Sequence, residues 1–249
     1  MHEFLEEAVQ WIEERRPSRV AVLTGAGISA ESGIPTFRDA GGLWESYRAE
    51  DLATAEAFGR DPHLVWRWYE WRRGMIRDAH PNEAHLALAR LESGLAGRGE
   101  LTVITQNVDG LHGRAGSREV VELHGSIFRV RCVREQTWEE RLEPFETLPP
   151  HCRCGSLLRP DVVWFGEMLP PGELERAAAA VRGADVLLVI GTSGVVHPAA
   201  GLISMLERGE AIEINPQQTP ISRLARFSIH DRAVSVVPRI VDAIVGSAR

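Results

Sequence analysis

Lysine is absent from this chain: all 28 of its basic residues are arginine. That excludes a Schiff-base lysine, a phosphate-loop lysine and any modification of the chain's own ε-amines. Cysteine is nearly as scarce. The three present, Cys132, Cys152 and Cys154, are an odd number confined to one region, which argues against a secreted disulfide framework and points to metal ligands or free thiols. Long apolar runs are missing as well: no stretch approaches the ~18 residues needed to cross a bilayer. The opening Met1-His2-Glu3-Phe4-Leu5-Glu6-Glu7 has no basic leader region, so the expectation is a cytoplasmic protein without a membrane partner. Positive charge is in deficit, the balance being −7, which weighs against direct binding of nucleic acid, whose phosphates require clustered cations.

What is present is enough apolar content, 44% of 249 residues, to bury a large core. Leu5, Ala8, Val9 and Ile12 recur at helical spacing, predicting a helix over 3–16 that stops at Pro17. Near-continuous apolar runs at 20–23, 101–104, 120–123, 185–190 and 211–214 read as strands covered on both faces. Helical patterns at 82–95, 171–182 and 197–208 lie between them, and a last helix is expected to begin near Pro238. The alternation predicts an α/β fold, a Rossmann-type parallel sheet with helices on both faces. Two stretches break it. Residues 41–78 are rich in tryptophan and arginine, and 127–160 hold all the cysteines and several prolines, so they are expected to build a smaller second domain beside a main domain of 1–40, 79–126 and 161–249.

Gly25-Ala26-Gly27-Ile28-Ser29-Ala30 follows the first strand with the spacing G-x-G-x-x-A, in which glycines admit a pyrophosphate close to the backbone and the following helix offers its positive end. Alone, this motif is weak. Two further blocks sharpen it: Thr105-Gln106-Asn107-Val108-Asp109-Gly110-Leu111-His112 and Leu123-His124-Gly125-Ser126, each directly after an apolar run. A dehydrogenase would want an acidic residue closing its second strand about 20 positions on. Glu45 is near that distance but follows no strand, which counts against hydride transfer.

Taken with Glu31-Ser32-Gly33-Ile34-Pro35-Thr36-Phe37-Arg38, Val162-Val163-Trp164-Phe165-Gly166-Glu167 and Gly191-Thr192-Ser193, these blocks resemble the sirtuin family of NAD-dependent protein deacylases over about residues 1–240. The resemblance implies NAD as cofactor, acylated lysines of proteins or peptides as partners, and nicotinamide, free lysine and acyl-ADP-ribose as products. It implies that His124 is the general base, with Asn107 and Asp109 beside it in the catalytic group and Gln106 and Asn107 holding the nicotinamide ribose. An imidazole at a strand's carboxyl edge is chemically suited to take a proton from a ribose hydroxyl. Gly25, Ala26, Gly27, Ser29, Phe37 and Arg38 correspond to the diphosphate and ribose loop; Gly191, Thr192, Ser193 and Asn215 correspond to contacts with the adenosine half. Ala233 is the best match to a glycine-containing loop against adenine, and His112 is expected to be structural. Mono-ADP-ribosyl transfer with the same NAD and base, and a non-catalytic NAD-responsive binding module, stay open as alternatives.

Tyr69 and Arg72 are three apart and share a helical face, so a phenol and a guanidinium are placed to grip a carboxylate. They resemble the Tyr-x-x-Arg pair of sirtuins that remove succinyl and malonyl groups, and Ala53 matches a small residue enlarging that pocket. Aromatic packing by Trp66, Trp68 and Trp71 beside a solvated Arg72-Arg73 doublet is the plainer alternative. Val163, Phe165, Gly166 and Glu167 match the segment that pairs with an extended substrate peptide by main-chain hydrogen bonds; an internal strand would read the same. Relatives bind structural zinc with two cysteine pairs, but here Glu135 stands where a cysteine is expected and the second pair is shortened to Cys152-Arg153-Cys154. Cys132, Cys152 and Cys154 with His151 or Glu135 could complete a tetrahedron. With a thiolate missing, the expectation leans narrowly to no zinc.

Overall fold

The computed structural model describes residues 2–35 and 47–246, the side chains of His2 and Glu3 excepted. Phe37, Arg38 and Glu45 lie outside the described residues. In chain order the elements are α1 (His2–Arg15), β1 (Arg19–Thr24), α2 (Ala49–Leu52), α3 (Ala55–Arg60), α4 (Pro62–Asp78), α5 (Glu83–Leu95), β2 (Glu100–Thr105), α6 (Leu111–Ala115) and β3 (Val120–Glu122). There follow β4 (Gly125–Cys132), β5 (Trp138–Glu140), β6 (Leu158–Val162), α7 (Pro171–Gly183), β7 (Val186–Ile190), β8 (Glu210–Ile214), β9 (Phe227–Ile229) and α8 (Ala233–Gly246).

Six parallel strands form the main sheet in the order β3-β2-β1-β7-β8-β9. The chain therefore reverses its direction of winding between β1 and β7, leaving a crevice outside their carboxyl ends, where such sheets bind ligands. Side-chain alternation divides the central strands β1, β2, β7 and β8 between two cores. Val20, Val22, Val103, Leu188 and Ile212 pack under α1, α5 and α8, while Ala21, Leu23, Ile104, Leu187 and Val189 pack under α7 on the other face. This double burial is why the strands read as unbroken apolar runs. No described helix is long and apolar enough to cross a membrane.

A third core joins α2–α4 to the antiparallel sheet β5-β4-β6. Asp61 caps α4 through the Leu64 amide at 2.9 Å, with Pro62 in the first turn, where a missing N–H is harmless. Trp66 then donates its indole N–H to the Leu158 carbonyl at 2.8 Å, fixing α4 to the small sheet. Arg73 is fully buried and bonded to the carbonyls of Ile127, Arg141 and Glu143. The solvated doublet considered for Arg72-Arg73 is therefore overturned at Arg73.

Two helix expectations need correction. Over 197–208 the described helix is a 3-10 turn, Ala199–Met205. The last helix starts at Ala233, five residues before Pro238. Its apolar stripe, Ala233, Val236, Val237, Ile240, Val241 and Ile244, holds the first turn against the core, so packing overrides the preference of proline for a helix start.

Candidate active site

The crevice begins with three glycines in mutual contact. Gly25 donates to the Ile190 carbonyl at 3.0 Å, and Gly27 to that of Gly191 at 2.8 Å. A Cβ on Gly25 would lie 2.8 Å from the Gly191 oxygen, and one on Gly191, whose φ is +61°, would lie 2.5 Å from the Ile28 nitrogen. The loops after β1 and β7 thus meet backbone to backbone, which only glycine permits. Asn215 extends the seam, its side-chain amide donating to the Thr192 carbonyl at 2.8 Å. Beyond Gly25 the chain forms a seven-residue 3-10 turn, Ala26–Ser32, rather than the expected α-helix, so any anion there meets individual amides and hydroxyls instead of a full helix dipole.

A buried polar floor lies below. Asn107 donates from its side chain to the Gly25 carbonyl at 3.1 Å and the Ser29 hydroxyl at 3.3 Å; Ser29 in turn donates to Asp109 at 2.8 Å. Asp109 also accepts from the Leu111 amide at 2.9 Å. Burial raises its pKa, with those two hydrogen bonds opposing. Gln106 reaches the Thr192 hydroxyl at 2.9 Å, linking the ends of β2 and β7. His112, expected to be structural, bonds Thr24 at 3.0 Å and meets the ring of His85 edge-on at 4.9 Å. Desolvation pushes His85 down to about 4 and His112 down to about 3, so both imidazoles are neutral near pH 7.

His124 stands at the turn between β3 and β4. Gly125 makes that turn possible, having a φ of +77° and room for no Cβ, which would lie 2.2 Å from the Asp161 oxygen. The imidazole Nδ1 is 2.8 Å from the Gln106 carbonyl oxygen. A carbonyl only accepts, so Nδ1 carries the proton and Nε2 keeps its lone pair. Burial lowers the pKa below the ordinary 6.5, while the bond to Gln106 opposes the shift.

On the other side Val163 donates to the His124 carbonyl at 3.0 Å and Phe165 to the Ala53 carbonyl at 2.9 Å, so 163–165 bridges the end of β3 to the end of α2. β6 stops at Val162, and Phe165 is half exposed. Glu167 folds back, donated to by the Trp164 amide at 2.9 Å and gripped by Arg159 at 2.6 and 2.9 Å. Tyr69 is buried on α4, and Arg72 lies within electrostatic reach of Tyr69 and Asp109. Burial lowers the Arg72 pKa, and these two neighbours oppose the shift. Ala233 is buried at the first turn of α8.

The ligand atoms of Cys132, Glu135, Cys152 and Cys154 all lie within 4.8 Å of one another. Tetrahedral zinc with bonds of about 2.3 Å sets its sulfurs roughly 3.8 Å apart. Cys132 and Cys154 are at 3.5 Å, and three thiols with a carboxylate are an acceptable donor set, so these residues fit the metal. His151 is not in the cluster; it is exposed and bridges Leu157.

Three residues escaped the sequence reading. His85 follows Asn82 at capping-box spacing, Asn82 donating its amide to His85 Nδ1 at 3.3 Å. Glu213 interrupts an apolar strand, and its buried carboxylate takes the hydroxyls of Thr219, Ser222 and Ser228. Trp164 donates its indole N–H to the Tyr69 oxygen at 2.9 Å, which no local pattern signals.

A model of the Sir2 family matches residues 25–198. The chain is 55% identical over 226 residues to NAD-dependent protein deacylase 2 of Pyrobaculum aerophilum, covering 90% of each, and 50% identical to the NAD-dependent protein deacylase of Aquifex aeolicus, covering 90% of this chain and 94% of that one. Among solved structures, a Sir2 homologue in complex with NAD superposes with a TM-score of 0.88 at 48% identity, over 96% of this chain and 93% of that one. Sir2 bound to a p53 peptide and NAD+ gives 0.81 at 33% identity, over 96% and 95%.

Proposed function

The chain belongs to the Sir2, or sirtuin, family, and from that footing we propose that it is an NAD-dependent protein-lysine deacylase preferring succinyl and malonyl groups, with weaker action on acetyl. The observation that carries the reaction is His124 at the crevice, held by Gln106 with Nε2 unprotonated. NAD supplies an anomeric carbon whose nicotinamide is displaced by the acyl oxygen.

His124 takes a proton from a ribose hydroxyl at Nε2, and the Gln106 carbonyl steadies the positive imidazole that results. The side chains of Gln106 and Asn107 hold the nicotinamide ribose. Ser29 and Asp109 support Asn107 from below, so positioning rather than covalent chemistry is the task of this group. Gly25, Ala26 and Gly27 give the diphosphate its approach, with Phe37 and Arg38 assigned to the same loop. Gly191, Thr192, Ser193, Asn215 and Ala233 receive the adenosine half. Val163, Phe165, Gly166 and Glu167 line the path of an extended peptide. Tyr69 and Arg72, with Ala53 leaving room, receive the acyl carboxylate. Against the narrow lean to no zinc, Cys132, Glu135, Cys152 and Cys154 would hold one structural zinc, the carboxylate supplying the ligand that a strict cysteine count lacks. The separate core of α2–α4 and the small sheet supports treating 41–78 and 127–160 as a second domain.

Incubation with NAD and a succinyl-lysine peptide, following nicotinamide and peptide mass, tests this reading. Peptide-dependent nicotinamide release with loss of the acyl mass supports it. ADP-ribose appearing on protein would replace it with a transferase, and no release at all would leave an NAD-responsive binder.

A further inference from the structure

Tyr69 and Trp164 come from distant parts of the chain and meet at one hydrogen bond. The indole N–H is only a donor, so the phenol oxygen must accept, and the phenolic hydrogen must go elsewhere. Arg72, the other polar group proposed to face the acyl chain, also only donates. With the Tyr69 oxygen accepting from Trp164, phenol and guanidinium both contribute donors, an arrangement that suits a carboxylate. Burial, partly offset by the Trp164 bond, pushes Tyr69 up to about 12, so the phenol keeps its hydrogen at neutral pH.

Trp164 is itself immobilised. The Arg159 guanidinium lies 3.5 Å from its ring centroid while binding Glu167 through two nitrogens. Glu167 closes the loop onto the Trp164 amide at 2.9 Å, and Phe58 packs against the indole at 5.2 Å between centroids. Its neighbours Val163 and Phe165 are tied to His124 and Ala53. The indole direction is therefore set by the same segment that joins His124 to the floor of the acyl pocket.

We propose that Trp164 is a positioning residue for acidic-acyl selectivity: by occupying an acceptor site of the Tyr69 oxygen, it turns the phenol into a donor aimed at the substrate carboxylate. This rests on the reading that Tyr69 and Arg72 receive that carboxylate. Trp164→Phe keeps an aromatic ring and removes the N–H. The ratio of succinyl to acetyl kcat/KM is expected to fall roughly five- to tenfold, chiefly through KM for the succinyl peptide. In a Tyr69→Phe background the same change is expected to add little further discrimination. Equal losses on both peptides, or full additivity with Tyr69→Phe, would overturn the proposal. Arg72→Met separates the two levels. If it leaves the ratio unchanged, the carboxylate reading itself fails; if it collapses the ratio while Trp164→Phe does not, only the role of Trp164 fails. Should Trp164→Phe not fold, the intact protein with 15N-labelled tryptophan gives an independent readout. Of its indole N–H signals, one protected from exchange is expected to shift with a succinyl-lysine peptide and not with an acetyl-lysine peptide; no such selective shift would overturn the proposal.

Discussion

His124 Nδ1 and the Gln106 carbonyl oxygen are 2.8 Å apart, so one hydrogen bond fixes both the tautomer and the tilt of the imidazole. Replacing His124 with alanine should lower turnover by at least about 10²-fold while NAD still binds. The pH profile follows from the same bond and from burial. The base works when neutral, so kcat/KM should fall toward acid, and because burial depresses the pKa the inflection should lie below 6.5. An inflection above 6.5, or wild-type turnover by the alanine variant, would count against this role; rate measurements across pH 5–9 and calorimetric titration with NAD decide it.

Arg72 should matter for acidic acyl chains and little for acetyl. Arg72→Met is expected to reduce succinyl-peptide kcat/KM about 10- to 100-fold, the scale of one charge-assisted hydrogen bond. Comparable losses with an acetyl peptide would show that Arg72 packs and no more, a reading its position over the Trp68 ring would then explain.

His85 and His112 make stability acid-sensitive. Their folded pKa values, about 4 and about 3, lie below the unfolded 6.5, so between these limits the unfolded chain binds more protons. Stability is therefore complete above pH 6.5 and is lost as pH falls toward 4 and then 3, by up to roughly 1.4 kcal/mol per pH unit for each group. Urea unfolding at pH 7, 6 and 5 should show the decline, and His85→Gln should flatten it.

Elemental analysis of unchelated protein should find about one zinc per chain, since a four-donor cluster meets the usual coordination number. Glu135→Ala should lower both occupancy and thermal stability, whereas Glu135→Cys should slow loss of the metal to a chelator. Metal-free protein, with the Glu135→Ala variant equally stable, would remove zinc from the reading.

Gly191→Ala should be severely destabilising despite adding one methyl group, by about 2 kcal/mol or more, because the new carbon would collide with backbone and the residue's φ is positive. Chemical denaturation of the variant is the check.

Five of the six strands of the main sheet were legible because Val20–Leu23 and its parallel neighbours are buried on both faces and so leave continuous apolar runs; the edge strand β9 was missed, being three residues long with Ser228 at its centre. Other elements hid for specific reasons. A helical face through Tyr69 and Arg72 was expected, but not the bounds of α4: its buried stripe of Val65, Trp66, Tyr69, Arg73 and Ile76 has helical spacing with an arginine among its members, so a search for apolar periodicity breaks there. β4 alternates Phe128, Val130 and Cys132 with Arg129 and Arg131, a strand pattern obscured by the cysteines and prolines that follow. Within the site, the sequence blocks named the residues but not their partners. That Gln106 offers its carbonyl to His124, or that Gly25 abuts Gly191, depends on strands adjacent in space and remote in sequence. Trp164 and Glu213 act through other side chains, which leaves no local signature.

Arg72 and Arg73 look like a repeated letter, yet one helical step, about 100° of rotation, gives them unrelated duties. The first turns toward Tyr69 and Asp109; the second is a bolt through three carbonyls of the cysteine-bearing arm. A single residue deleted from the preceding turn would put Arg73 where Arg72 stands and Gly74 where Arg73 stands, leaving the arm unfastened. The phase of this helix, more than its composition, assigns the two arginines their duties.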